Sequence, residues 1–145
     1  MGMTDRSLRI ARAAAGLALT LSAIVLGGCA AFSTSYAVLD RDAEPADTVP
    51  DDVIEQDSGD VADLASARFV GDHSGSSLWL LRGVEPSTVC VLAYRDESEW
   101  GMGCGGERGP IEISGPAGHF AAVPEDYPTP DGATRISDNV YALSP

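Results

Sequence analysis

The chain contains no lysine. All nine of its basic residues are arginines, which we read as the codon bias of a GC-rich genome rather than as chemistry. Histidine is almost as scarce, with only His73 and His119, and cysteine stops at Cys29, Cys90 and Cys104. No C-x2-C pair occurs, so a zinc site built from Cys90, Cys104 and a histidine is not expected, and neither is any other metal or cofactor. Positive charge is short overall: 22 acids against nine arginines leave a formal charge of −13. Arg6, Arg9, Arg12 and Asp5 give the first 28 residues +2, so the remainder carries −15. An acidic surface of that size argues against nucleic acid as a partner and against direct docking on anionic lipid. No internal repeat is present. At 145 residues there is room for one domain at most.

Long apolar runs are also absent, with one exception near the N-terminus. Ala13 to Leu26 is an apolar stretch of 14 residues preceded by the three arginines, the length and flank of a signal peptide. As a helix it would span about 21 Å, short of the ~30 Å hydrocarbon core. It ends in Leu26-Gly27-Gly28-Cys29. These residues resemble the lipobox of bacterial lipoproteins: an aliphatic residue, two small residues, then cysteine. The resemblance implies cleavage between Gly28 and Cys29, a diacylglyceryl thioether on Cys29, and a palmitate-type anchor in the membrane. Several acyl chains, at roughly 0.8 kcal/mol per buried CH2, hold a protein firmly. The alternatives are an uncleaved anchor, because Ala13 to Phe32 has 20 residues and no charge, and a cleaved, released protein. For lipid anchor and uncleaved anchor alike, arginines before the run and acids after it place the body outside the cytoplasm.

From Asp40 to Asp63 there are ten acids and one arginine. Pro45 and Pro50 interrupt any long helix. The default expectation is a solvated spacer over 29–63, with a reach of roughly 30 Å for a flexible chain of that length. Asp40, Asp42 and Glu44 alternate as calcium ligands do, but Pro45 stands where an EF-hand loop requires glycine. A third reading is partial order, with "YAVLD" and "DDVIEQ" lying against the domain.

The domain proper is expected over 64–145, about 80 residues, a size at which a core is thin and a covalent staple is common. Short apolar runs separated by Gly, Pro, Asp and Ser point to an all-β fold, a small antiparallel sandwich or barrel of about seven strands. "ARFVGD" and "SLWLLR" flank the turn His73-Ser74-Gly75-Ser76. "PIEIS" and "HFAAVP" flank Gly115-Pro116-Ala117-Gly118. "YPTPDGATRIS" reads as a proline-rich loop and "NVYAL" as a closing strand. The segment "TVCVLAYRDESEWGMGCGG" folds symmetrically about Glu97, pairing Tyr94 with Trp100, Leu92 with Met102 and Cys90 with Cys104 on one face. The opposite face, with Val91, Ala93, Arg95, Glu99, Gly101 and Gly103, is more mixed. With Cys29 committed to lipid, Cys90 and Cys104 form the even pair expected to be a disulfide in an oxidising compartment.

No catalytic constellation stands out. Gly101-Met102-Gly103-Cys104-Gly105-Gly106 fits G-x-G-x-x-G but no helix follows it. Asp72, His73 and Ser74 are consecutive, whereas triads assemble from distant segments. Trp79 and Trp100 are expected in the core, with a binding surface as the alternative. Glu97, Glu99, Glu125 and Asp126 are expected to be solvated loop carboxylates.

The C-terminal part also resembles small exported β-rich proteins of high-GC Gram-positive bacteria that carry two cysteines, which brings no activity with it. The expectation is a lipid-anchored protein on the extracytoplasmic face of the cell membrane: a non-enzymatic module that binds an envelope protein or wall component. The alternatives are a structural or stress-related envelope protein without a ligand, and a small envelope hydrolase using the two histidines.

Overall fold

The acidic stretch is folded, which corrects the default spacer and agrees with the alternative in which "YAVLD" and "DDVIEQ" lie against the domain. The computed structural model describes residues 36–57 and 59–144; the signal segment, Gly28 and Cys29 lie outside them. Residues 36–57 form an arm of two 3-10 turns, Ala37–Asp40 and Pro45–Asp47, and a helix α1, Asp51–Gln56. The domain therefore starts at Tyr36 or earlier, not at residue 64. Pro45 does not break structure here: it opens the second turn, where Glu44 and Asp47 cap each other reciprocally. Asp51 and Asp52 fill the first turn of α1, where acids complement the exposed N–H groups. Six residues are too few to hold a helix alone; α1 is held because Val53 is fully buried.

Eight strands follow. They are β1 (Ala62–His73), β2 (Ser76–Gly83), β3 (Thr88–Asp96), β4 (Glu99–Gly106), β5 (Ile111–Gly115), β6 (Gly118–Ala122), β7 (Thr134–Arg135) and β8 (Val140–Ala142). The stretch expected to be a proline-rich loop contains β7, one strand more than the seven expected. Two antiparallel four-stranded sheets form, in the orders β1-β2-β3-β4 and β5-β6-β8-β7. The fold is an all-β sandwich, not a barrel. No helix among the described residues is long and apolar enough to cross a membrane.

The β3–β4 register pairs Cys90 with Cys104, Leu92 with Met102 and Tyr94 with Trp100. The face those six residues share is not the one between the sheets. The inner core takes Leu78, Leu80, Val89, Val91 and Ala93 from the first sheet and Ile111, Phe120, Ala122, Val140 and Ala142 from the second. Gly103 and Gly105 lie on this inner face, and a Cβ at either would press on Ile113 or Ile111. Glycine thus lets β5 approach β4 closely.

The outer face of the first sheet carries a second apolar cluster, with Trp79, Leu81, Cys90 and Leu92 buried beneath Val49 and Val53 of the arm. The arm begins in the inner cluster with Tyr36 and Leu39 and ends in the outer one. Between the two, Arg41 lies alongside β1, where its carbonyl accepts from Arg68 Nε at 3.0 Å. The first sheet is therefore covered on both faces, which explains why β2 reads as a nearly unbroken apolar run.

The arm is tied down by polar contacts as well. Asp47 is buried and accepts from both Arg41 nitrogens (2.6 and 2.5 Å), from the Glu44 amide (2.7 Å) and from the Phe69 amide (2.7 Å). Burial opposes its ionisation, but these donors outweigh it and bring the carboxyl down to about 2. Tyr94 Oη donates to Asp52 (2.7 Å), and that bond first, then burial, pushes its phenol up to about 12. Trp79 Nε1 donates to the Ala46 carbonyl at 3.2 Å.

Candidate functional site

The two histidines, 46 positions apart in sequence, line one cleft. His73 ends β1 and His119 lies in β6. Ser74, Arg95 and Phe120 join them around a hollow of about 230 Å3. Two tight turns build the rim. His73 pairs with Ser76, leaving Ser74-Gly75 as a two-residue loop in which both residues have positive φ (50° and 84°), as a primed hairpin turn requires. Gly115 pairs with Gly118, leaving Pro116-Ala117 as the second loop.

Arg95 links the two turns. Its Nη1 donates to the Pro116 carbonyl (3.3 Å) and to Glu99 (3.2 Å), and its Nη2 donates to the Ser74 carbonyl (3.4 Å). The guanidinium thereby joins the end of one sheet to the end of the other. His73 meets the Phe120 ring edge-on at 6.2 Å between centroids. His119 Nε2 lies 4.0 Å from Glu112 Oε2, an ion pair only when the imidazole is protonated.

The consecutive Asp72, His73 and Ser74 do not form a relay. Neighbouring strand residues point to opposite faces, and Asp72 accepts from the Ser77 hydroxyl at 2.5 Å. The G-x-G-x-x-G residues are strand β4 and its end, with no helix after them. Cys90 and Cys104 have their sulfurs 2.02 Å apart, in a disulfide; thus bonded, neither is a thiolate ligand for zinc. Among the described residues no group of three or more His, Cys, Asp or Glu side chains is placed to hold a metal ion. Asp40 pairs with Arg82 at 2.6 Å instead of facing Glu44 across a calcium loop. Trp79 is buried and Trp100 half-buried. Glu125 is exposed but structural, accepting from the Ala37 amide at 2.8 Å.

Sequence reasoning missed the convergence of the histidines and the buried Asp47–Arg41 pair. The first depends on sheet-to-sheet packing, which no local pattern encodes. The second had a signal, a single arginine among ten acids. Compared with family models, with curated proteins and with solved structures, the chain finds no match.

Proposed function

We propose that this protein is a lipoprotein of the bacterial cell envelope, held on the extracytoplasmic face of the membrane by acyl chains on Cys29 and acting as a non-enzymatic binding module. The observation that carries the reading is Leu26-Gly27-Gly28-Cys29 at the end of the apolar run, with Cys29 seven positions before Tyr36, the first described residue. The Cys90–Cys104 disulfide fits an oxidising compartment. Seven extended residues reach about 25 Å at most, so such an anchor holds the domain close to the bilayer. An envelope protein or a wall component at that depth is the partner this placement suits.

Intact mass of the natively expressed protein tests the reading. The expected product lacks residues 1–28, carries lipid on Cys29 and is two protons light for the disulfide. Cys29→Ser is expected to abolish lipid attachment and processing. A native product of full, unlipidated size that stays with membranes would overturn the lipoprotein reading in favour of an uncleaved anchor.

The shared cleft of His73 and His119 favours a second reading, a small envelope hydrolase. Single alanine substitutions at both histidines in an activity screen decide it; activity that survives both removes those residues from consideration.

A further inference from the structure

Among the described residues, three of the four exposed large apolar side chains, Ile54 (47 % exposed), Val61 (53 %) and Val84 (56 %), gather at one corner of the domain. Val61 precedes β1 and Val84 follows β2, and the Val84 amide donates to the Val61 carbonyl at 3.0 Å. Ile54 is the residue of α1 beside the buried Val53, and it points outward. The floor comes from an irregularity in β1: its pairing with β2 jumps from Asp63–Arg82 to Arg68–Leu80. Ser66 closes the gap, its hydroxyl accepting from the Arg82 amide (2.7 Å) and donating to the Asp63 carbonyl (2.6 Å). Leu64 and Ala65 line two hollows of about 320 and 530 Å3 that meet at Ile54. The result is a continuous apolar groove with Ile54 at its middle.

Acids predominate around the groove. Asp57 and Asp63 line the larger hollow, and Glu55 and Glu85, the chain neighbours of Ile54 and Val84, are exposed, while the nearest arginines are already engaged, Arg82 by Asp40 and Arg41 by Asp47. The half-buried carboxylate of Asp57 adds an acceptor to this acidic rim.

We infer that this groove docks a cationic amphipathic segment of a partner protein, whose apolar side chains pack on Ile54 and Val84 while an arginine or lysine reaches Asp57. The inference rests on the binding-module reading and supplies the class of partner. Charge complementarity selects this occupant. An anionic lipid surface meets the same acids and is repelled, as is the identical groove of a second copy.

The test uses the full chain in nanodiscs of zwitterionic lipid, with empty nanodiscs as baseline. The probe is a synthetic peptide with leucines on one helical face and arginines on the other. Fluorescence anisotropy is expected to show binding of this peptide, with none when glutamate replaces arginine or serine replaces leucine. Ile54→Ser, Val84→Ser and Asp57→Asn are each expected to weaken it about tenfold. The first two alter exposed side chains, so an unchanged circular dichroism spectrum separates lost docking from lost fold. Equal binding of the serine peptide, or indifference to Ile54→Ser and Val84→Ser, would overturn the inference. So would oxidative footprinting that finds Ile54 and Val84 already protected without peptide, since the bilayer or a second copy would then occupy the groove. Failure here leaves the Cys29 mass result untouched, so the two readings fall separately.

Discussion

Asp47 concentrates more of the fold's polar energy than any other described carboxylate. Its oxygens meet one guanidinium and two backbone amides, and those amides belong to the arm and to β1. Removing it strands the Phe69 amide and frees Arg41, so Asp47→Ala is expected to cost about 3 kcal/mol in urea unfolding. The sign of the acid response follows from the same contacts. The carboxyl titrates near 4 when unfolded and at about 2 when folded, so its stabilisation is complete above pH ~4 and is lost as pH falls toward 2. The shift corresponds to about 2 kcal/mol, and Asp47→Asn is expected to flatten that part of the pH–stability curve. Glycines of β4 offer a matched pair at the same scale. A Cβ at Gly103 collides with Ile113, whereas one at Gly101 meets nothing within 4 Å. Gly103→Ala is therefore expected to lose about 2 kcal/mol and Gly101→Ala close to none, read from thermal unfolding.

Among the elements, the β3–β4 hairpin was the most legible. Alternating apolar residues, a polar tip and two cysteines at equal distance from it agree on one register. Closing a loop of 14 residues' separation restricts the unfolded chain by about 3 kcal/mol, so reduction is expected to lower the urea midpoint by that equivalent, and Cys90→Ala with Cys104→Ala to do the same. Which face of the hairpin looks inward was not legible. Val91, Ala93, Gly101 and Gly103 read as the weaker face, yet Val91 and Ala93 pack into the inner cluster with Ile111 and Phe120, and Gly103 leaves room for Ile113 of the other sheet. Small residues signal a tight interface only once the bulk opposite them is known. The arm was only partly legible. "YAVLD" and "DDVIEQ" stand out as apolar enough to lie against the domain, but ten acids from Asp40 to Asp63 made a spacer the default, while four apolar side chains, Tyr36, Leu39, Val49 and Val53, anchor the arm. The histidine cleft was illegible because its members come from β1, β3 and β6 and meet only after the two sheets pack.

For the whole molecule the governing quantity is charge. Residues 36–145 contain every charge of the −15 that follows residue 28. Self-repulsion of that size destabilises a compact state and is screened by salt. Raising sodium chloride from low to physiological concentration is therefore expected to raise the melting temperature; an unchanged or falling value would show that the Arg41–Asp47 and Arg82–Asp40 pairs outweigh the net charge.

The three-layer arrangement also reverses the usual order of assembly. The arm is synthesised before any strand, yet its seat is made of β1, β2 and β3, which the ribosome delivers afterwards. The arm therefore cannot settle until β3 has been made. Until then Trp79, Leu81 and Leu92 stand uncovered, and a chain trimmed at the end of its acidic stretch would never leave that sticky intermediate.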